Sequence, residues 1–352
     1  MNSLKSSLHI LEVGSLMDSS FSKLLANYQG AKKIIIVDEN TYEFCLSSLV
    51  TNFEELAQAE VIQLPCGEES KQIEFAANVW DALTEYNITR YDLIINLGGG
   101  VITDLGGFIA ACYKRGVDYL NIPTSLLGMV DASIGGKTGV NLGAFKNQIG
   151  VFSNPKAVYI DPSFLTTLPE VELLGGYAEM IKHGIIDSLG LFNRVMDQMK
   201  DLTKIDVQLL SDCIQVKNGV VERDPTEKGE RKLLNFGHTA GHAIEGYFIE
   251  DKNYNHGFCV ALGMLVESKI SLDREILELK DYRSIYDSIT EHYKLPSFSN
   301  DEISKMCDLL VNDKKNKKGK ILSCLVKGIG DCIYDQEVDE IEFSNAIKEL
   351  MA

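Results

Sequence analysis

Long apolar runs are missing from this sequence. No stretch approaches the ~18–20 consecutive apolar residues that a bilayer-spanning helix needs. The opening residues, MNSLKSSLHILEVGSL, also lack the basic start and extended apolar core of a secretory signal peptide. We therefore expect a cytoplasmic protein that has no membrane partner.

Cysteine pairs are also missing. The eight cysteines stand singly along the chain, and none forms a CxxC motif. Close pairs are typical of cysteine zinc sites, and a short chain dense in cysteine is typical of a disulfide framework. The sequence therefore predicts reduced thiols and neither of those two kinds of site.

Basic residues are scarce. The chain has 34 Lys and Arg residues against 51 Asp and Glu residues, which gives a formal net charge of −17. Such a charge argues against a nucleic-acid partner. The exception is DKKNKKGK, residues 313–320, which holds five lysines. This pattern is typical of a solvated loop, although one or two of its lysines would suit contact with an anionic substrate.

Only six histidines are present, yet three of them fall between positions 238 and 256. His238 and His242 stand four residues apart in NFGHTAGHAIE, which places them on one face of a helix. They would form a metal site, a general acid–base pair, or part of a core. The clustering favours a function, and the spacing alone indicates His238, His242 and His256 as three metal ligands.

Two patterns of secondary structure divide the chain. In the first half, apolar runs alternate with helical patterns, which predicts a mostly parallel sheet with helices on both sides. The predicted strands are KKIIIVDEN, AEVIQLP, YDLIINLGGG, YLNIPTS and AVYIDP. Helices are predicted at 170–187, 206–223, 235–248, 256–275, 281–294 and 301–312, followed by the strands KILSCLVKG and CIYDQEV. With 352 residues we expect two domains, with the boundary near residue 165.

A glycine-rich turn follows the third predicted strand, in LIINLGGGVITDLGGF. Gly98, Gly99 and Gly100 would let backbone amides approach a pyrophosphate at the start of a helix. The usual G-x-G-x-x-G spacing fails, because Thr103 stands where the third glycine belongs. The turn therefore indicates a nucleotide site without defining it, and a plain strand–helix turn is the alternative.

Further polar residues follow in NIPTSLLGMVDASIGGKTGVNLGAFKNQIG. They include Thr124, Asp131, Lys137, Lys146 and Asn147. Loops at the carboxyl ends of parallel strands are where α/β sheets bind ligands. This segment therefore suits contact with a phosphate or a carboxylate.

Taken together, these motifs resemble 3-dehydroquinate synthase. The runs that carry the resemblance are GGGVITDLGGF, YKRGVDYLNIPTSLLGMVDASIGGKTGVN, KNQIG, GGYAEMIKHGII, ERDPTEKGERKLLNFGHTAGHAIE and NHGFCVALGM, which lie in order between about residues 33 and 330. The resemblance implies an α/β NAD-binding domain, residues 1–165, followed by a mainly α-helical domain for metal and substrate, residues 166–352. It also implies NAD and a divalent metal as cofactors, normally zinc, with cobalt as an alternative.

The implied activity is that of a lyase of the shikimate pathway, which supplies aromatic amino-acid biosynthesis. It converts the sugar phosphate 3-deoxy-D-arabino-heptulosonate 7-phosphate to 3-dehydroquinate and phosphate. In this family NAD takes a hydride from the substrate and returns it, so that the cofactor is regenerated within one turnover.

The resemblance changes the metal-ligand set that the spacing indicates. It implies Glu179, His238 and His256 as ligands and places His242 towards the substrate. Two imidazoles and one carboxylate leave open positions on zinc, as a catalytic site needs.

Substrate and NAD residues are likewise implied by the match. Substrate-site or catalytic roles fall on Arg115, Asp131, Lys137, Lys146, Lys182, Lys217, Arg231, Asn235, His242 and either Lys314 or Lys315. Arg115 matches an arginine that reaches the active site of a neighbouring subunit, which implies a homodimer. NAD contacts fall on Asp38, Asn40, Glu68, Lys71, Gly99, Gly100, Val101, Asp104, Thr124, Ser125, Lys146, Asn147, Phe164, Thr167 and Leu168.

The chain departs from the family pattern at two places. Phe258 stands where the family often has a glutamate, next to the metal histidine His256, and this changes the expected hydrogen bonding there. The loop NLGAFKN replaces a His-Pro that often follows GVN, but Lys146 and Asn147 remain.

Three other functions fit parts of the sequence. A related cyclase would act on a sugar phosphate that lacks the carboxylate, and Arg231 and Asn235 argue against it. A metal-dependent polyol or alcohol dehydrogenase would release NADH and would not need so many cations around the metal. A non-catalytic nucleotide-binding protein would not need Glu179, His238, His256 and Lys137.

Overall fold

A computed structural model of the chain describes residues 1–143, 145–202, 204–248, 254–311 and 320–351. The chain divides into two units, Met1–Pro169 and Glu170–Ala352. In the described ranges, every helix is too short or too polar to cross a membrane.

A seven-stranded sheet organises the first unit. Its strands are β1 (Asn2–Ser3), β2 (Ile10–Val13), β3 (Lys33–Asp38), β4 (Glu60–Leu64), β5 (Leu93–Gly98), β6 (Asp118–Pro123) and β9 (Ala157–Ile160). They lie in the order β1-β2-β9-β6-β5-β3-β4. Every neighbouring pair is parallel except β1 with β2. The mostly parallel sheet predicted from the sequence is confirmed, and all five predicted strands belong to it.

The central strands are apolar on both faces. Ile34, Ile36 and Ile94 pack on one face against α4 (Ile73–Glu85) and α5 (Gly100–Cys112). Ile35 and Ile95, which point to the other face, are also fully buried. A parallel sheet buried on both faces needs such continuous apolar runs. These strands could therefore be predicted from the sequence.

Smaller elements complete the first unit. The helices α1 (Phe21–Ala26), α2 (Glu39–Thr41) and α3 (Ser47–Asn52) lie between the early strands. The antiparallel pair β7 (Lys137–Leu142) and β8 (Phe145–Phe152) forms a separate hairpin.

The second unit is mainly helical. Its helices are α6 (Glu170–Asp187), α7 (Leu189–Gln198), α8 (Val207–Arg223), α9 (His238–Tyr247), α10 (His256–Asp273), α11 (Leu279–His292), α12 (Asn300–Val311) and α13 (Glu340–Met351). An antiparallel hairpin, β10 (Ile321–Gly328) with β11 (Asp331–Val338), precedes the last helix. A helical second half with two late strands was predicted and is confirmed.

The predicted helix at 235–248 begins later than expected, at His238. Residues Glu230–Asn235 form a 3-10 turn instead. Gly237 then adopts φ = 79°, a left-handed conformation that glycine accommodates readily. The histidine singled out from the sequence is therefore the first residue of its helix.

Candidate active site

Three side chains from three helices converge in the second unit. Glu179 lies in the middle of α6, His238 is the first residue of α9, and His256 is the first residue of α10. Oε1 of Glu179 lies 3.5 Å from Nε2 of His238 and 3.9 Å from Nε2 of His256. The structure thus brings together the carboxylate and the two imidazoles that the family match implies.

Both imidazoles are oriented through their other nitrogen. Nδ1 of His238 lies 3.2 Å from the carbonyl oxygen of Phe236, and Nδ1 of His256 lies 3.2 Å from Oε2 of Glu245. Each acceptor favours the tautomer with its proton on Nδ1. The lone pairs on Nε2 are then left to face Glu179.

Glu179 itself is fully buried. Nζ of Lys182, one turn later on α6, makes an ion pair with its Oε2 atom. Among the described residues, none donates a hydrogen bond to its Oε1 atom. A buried carboxylate oxygen that faces two Nε2 lone pairs fits a cation, and two imidazoles with one carboxylate fit zinc with open positions.

His242 lies in the same cluster. Its ring centroid is 5.4 Å from that of His238 and 5.7 Å from that of His256, and a ring nitrogen of each lies within 4.8 Å of the others. The three histidines that the spacing indicated therefore do meet. The buried Oε1 atom of Glu179, 3.5 and 3.9 Å from the Nε2 atoms of His238 and His256, also fits the set that contains the carboxylate.

Close backbone contacts hold the three helices together. A Cβ atom on Gly257 would lie 2.0 Å from the carbonyl oxygen of Gly175, where α10 meets α6. A Cβ atom on Gly263 would lie 1.9 Å from the carbonyl oxygen of Gly237, where α10 meets the start of α9. Glycine is required at Gly257 and Gly263, because any side chain would push apart the helices that carry Glu179, His238 and His256.

Phe258, at the position where the family resemblance leads us to expect a glutamate, joins an aromatic cluster. Its ring lies 5.2 Å from that of Tyr254 and 5.6 Å from that of Tyr293, both at steep angles. A carboxylate beside His256 comes from Glu245 on α9. The sequence reasoning missed Glu245, although a signal was present: it follows His238 by seven residues and His242 by three, and so shares their helix face.

Buried cations accompany the cluster. Lys182, Lys217 and Arg231 are all at least nine-tenths buried. Lys217 lies on α8 and Arg231 in the 3-10 turn, and both elements pack against α6. Three positive charges in one helical unit, all shielded from water, would strengthen the attraction for an anionic ligand.

Two polar side chains of the predicted substrate site form hydrogen bonds with residues that lie shortly before them in the chain. Nη1 of Arg231 donates to the carbonyl oxygen of Pro225 at 2.7 Å, and Nδ2 of Asn235 donates to Oε1 of Glu227 at 2.8 Å. These bonds hold the turn before α9 in place. Lys314 and Lys315, which the prediction also assigns to the substrate site, lie outside the described residues.

The first unit contains the glycine-rich turn. Gly98 ends β5, Gly99 precedes α5, and α5 begins at Gly100. The next strand, β6, is bonded to this turn, because the N–H of Thr124 donates to the carbonyl oxygen of Gly98 at 3.1 Å. The turn therefore lies at the carboxyl edge of the sheet, where a helix start offers N–H groups to an anion.

Other predicted NAD residues gather at the same edge. Asp38 ends β3, which neighbours β5, and its carboxylate caps α2. Nζ of Lys71 lies 2.6 Å from Oδ2 of Asp104 on α5. Oε1 of Glu68 accepts from Nδ2 of Asn141 at 2.8 Å. A carboxylate at the end of a strand beside the glycine turn is a typical ribose contact in such sheets.

The remaining predicted residues of this unit occupy several elements. They are Asn40 in α2, Val101 in α5, Ser125 after β6, Asp131 in the one-turn π-helix Gly128–Ala132, Lys137 at the start of β7, Lys146 and Asn147 in β8, and Phe164, Thr167 and Leu168 in or after the 3-10 turn Pro162–Thr167. Oδ1 of Asn141 accepts from the N–H of Asn147 at 2.7 Å, which links β8 to the segment of Glu68.

Arg115 lies apart from this group. It follows the carboxyl end of α5, whereas Gly99 and Gly100 stand at the amino end of the same helix. Thirteen residues of helix separate the two ends by about 20 Å. Arg115 lines a surface cavity of about 600 Å³ with Lys156, Val151 and Phe152, and the last two are exposed apolar side chains.

Comparison with known proteins identifies matches over most of the chain. Residues 61–175 match the model of the N-terminal domain of 3-dehydroquinate synthase, and residues 176–316 match that of the C-terminal domain. The chain is 37% identical over 327 residues to 3-dehydroquinate synthase of Parabacteroides distasonis, a match that covers 92% of each chain. It is 39% identical over 325 residues to the enzyme of Clostridium acetobutylicum, covering 91% of each.

Solved structures with the same fold include two synthases and a dehydrogenase. A 2-deoxy-scyllo-inosose synthase complexed with carbaglucose-6-phosphate, NAD+ and Co2+ superposes with a TM-score of 0.88 at 21% identity, covering 99% of this chain and 100% of that chain. The 2-epi-5-epi-valiolone synthase of Streptomyces hygroscopicus subsp. jinggangensis 5008, with NAD+ and Zn2+ bound, gives 0.85 at 25% identity, covering 99% and 98%. An NADH-dependent butanol dehydrogenase of Thermotoga maritima gives 0.68 at 14% identity, covering 100% and 99%.

Proposed function

The chain belongs to the 3-dehydroquinate synthase family, and we propose that its metal-ligand cluster and its glycine-rich turn serve the reaction of that family. The activity is that of a 3-dehydroquinate synthase, a lyase that converts 3-deoxy-D-arabino-heptulosonate 7-phosphate to 3-dehydroquinate and phosphate. The cofactors are NAD and a divalent metal ion, Zn2+ or Co2+.

The observation that carries the proposal is the buried Oε1 atom of Glu179, which faces Nε2 of both His238 and His256. These three residues would hold the metal, and we propose zinc as the resident ion. When bound, the metal supplies Lewis acidity to hydroxyl groups of the substrate. His242, one turn after His238 on α9, would hold or move a proton.

The buried cations would bind the charged ends of the substrate. Arg231 presents a planar guanidinium that suits a carboxylate through two parallel hydrogen bonds. Lys182 and Lys217 add positive charge in the same helical unit, where low exposure strengthens their attraction for an anion. The proposed set also includes Asp131, Lys137, Lys146, Asn235 and either Lys314 or Lys315.

The first unit would bind NAD at the carboxyl edge of its sheet. The N–H groups of Gly99 and Gly100 open α5, and the positive end of that helix suits the pyrophosphate. Asp38, at the end of a neighbouring strand, would contact a ribose hydroxyl. When bound, NAD supplies a hydride acceptor and donor within one turnover.

A homodimer is proposed from the place of Arg115. The residue lies about a helix length from the glycine turn of its own chain and lines a cavity with exposed apolar side chains. A second copy that covers this surface would receive Arg115 in its own active site. We also propose that the enzyme works in the cytoplasm.

The test of function supplies the heptulosonate phosphate and Zn2+, with NAD at about a hundredth of the substrate concentration. Phosphate and 3-dehydroquinate should accumulate far beyond the amount of NAD, while free NADH stays near zero. A dehydrogenase would instead stop after one equivalent of NAD is reduced. Turnover on a sugar phosphate that lacks the carboxylate, without turnover on the heptulosonate, would assign the chain to another cyclase.

A further inference from the structure

A glutamate is buried in the middle of α10. Glu267 is fully inaccessible to water and follows the apolar run CVALGMLV. Its Oε2 atom accepts from the N–H of Gly237 at 2.7 Å. Its Oε1 atom accepts from the N–H groups of Thr239 and Ala240 at 3.1 and 3.3 Å. One carboxylate thus receives three backbone hydrogen bonds from another helix.

These three N–H groups belong to the start of α9. The first N–H groups of a helix lack partners inside the helix, and the side chain of the preceding residue usually accepts from them. Gly237 has no such side chain, and a Cβ atom there would lie 2.5 Å from Cγ of Met264. Glu267 supplies the cap from α10 instead, and its negative charge suits a helix amino terminus.

The capped turn carries a ligand of the candidate metal centre. His238 is the first residue of α9, and His256 is the first residue of α10, three turns before Glu267. The carboxylate therefore ties the turn that holds one imidazole to the helix that holds the other. A shift of this first turn would move Nε2 of His238 relative to Nε2 of His256.

We propose that Glu267 is a positioning residue for the metal centre, which it serves by capping α9 and thereby fixing the direction of His238 relative to His256. The proposal rests on the proposed function, because it takes His238 and His256 as ligands. Glu267 acts through the backbone of Gly237, Thr239 and Ala240. Its effect should therefore appear in how the metal is bound, as well as in stability.

The experiment titrates the full-length, metal-free protein with Co2+ and records the visible absorption of the bound ion. Glu267→Gln keeps the size of the side chain but loses its charge and one acceptor oxygen. We expect its Kd for Co2+ to rise by about tenfold or more, as for other residues that orient metal ligands, and its absorption bands to shift. Glu267→Asp keeps the charge on a shorter side chain and should give an intermediate Kd.

Asp206→Asn is the matched control. Asp206 caps α8, accepting from the N–H groups of Gln208 and Leu209, and lies in the same unit without contacting α9 or α10 through those bonds. This variant should melt at a lower temperature while keeping the Kd and the absorption bands of the parent. If Glu267 had a merely structural role, Glu267→Gln would likewise lower the melting temperature and leave the Kd and the absorption bands unchanged.

The outcomes separate this proposal from the proposed function. If Glu267→Gln and Glu267→Asp both bind Co2+ with the parent Kd and spectrum, while His238→Ala loses the ion, the positioning role is wrong and the ligand set stands. If His238→Ala binds Co2+ like the parent, the ligand set is wrong and the positioning role fails with it. If Glu267→Gln does not fold, the Kd and spectrum of Glu267→Asp decide.

Discussion

Lys182 and Glu179 form an ion pair one turn apart on α6, and both side chains are almost completely buried. Removing one partner of such a pair lowers the stability of the fold strongly, because the remaining charge is left buried without compensation. The same carboxylate faces the two imidazoles of the candidate metal centre. Lys182 would therefore stabilise Glu179 before metal binds, in addition to contacting the substrate.

The first prediction concerns this pair. Lys182→Met should lower the free energy of unfolding of the metal-free protein by about 3–5 kcal/mol, because it leaves the carboxylate of Glu179 uncompensated. Zn2+ should restore part of the loss. Lys200→Met is the control: Lys200 pairs with Asp197 at the same i,i+3 spacing but in the open, and should change little. Equal destabilisation of the two variants in denaturant titrations would contradict the prediction.

The second prediction concerns the ligand set. Glu179→Gln, His238→Ala and His256→Ala should each lose bound metal and activity together, since each removes one of three ligands. His242→Ala should retain the metal and lose turnover. Metal content after dialysis, measured beside activity, checks both statements. Zinc lost from His242→Ala but kept in Glu179→Gln would instead support the three-histidine set.

The third prediction concerns the substrate carboxylate. Arg231→Ala should lower kcat/KM for the heptulosonate phosphate by the equivalent of about 2–4 kcal/mol, because a charged contact of a buried guanidinium is lost. Arg223→Ala removes an arginine from the same region that is exposed and paired with Glu230, and it should leave kcat/KM near the parent value. An unchanged kcat/KM in Arg231→Ala would show that Arg231 does not bind the substrate carboxylate.

The fourth prediction concerns acid stability. Hydrogen bonds from Tyr247 and Ser299 lower the pKa of Glu302 from 4.5 to about 2. A carboxyl group with a depressed folded-state pKa stabilises the fold above its unfolded pKa, and this contribution is lost as the pH falls from about 4.5 towards 2. The difference in Tm between the parent and Glu302→Gln should therefore shrink between pH 7 and pH 3. A constant difference across that range would show that the charge contributes nothing.

Much of the fold could be predicted because its signals are local. The buried parallel strands are short apolar runs, and helices such as α6 and α8 show their periodicity directly. The start of α9 was predicted too early, because the left-handed conformation of Gly237 depends on its contact with α10. Tertiary contacts of this kind leave no pattern in the neighbouring residues.

The sequence likewise indicated some residues of the candidate site and missed others. The spacing of His238 and His242 marked the region, because both lie on one short helix. Glu179 could not be chosen from spacing, since it lies on a different helix far earlier in the chain, and only the family resemblance indicated it. Glu267 was also missed, although a single carboxylate after a long apolar run was a visible sign of a buried polar role.

The contacts of Gly257 with Gly175 and of Gly263 with Gly237 limit how this enzyme can evolve. At either place, even the smallest side chain needs more than an ångström of extra separation between helices that carry ligands. Even a single small substitution at either glycine would therefore disturb the contact between the helices. Descendants of this enzyme should therefore inherit this backbone frame unchanged, and the two glycines should tolerate replacement no better than the histidines do.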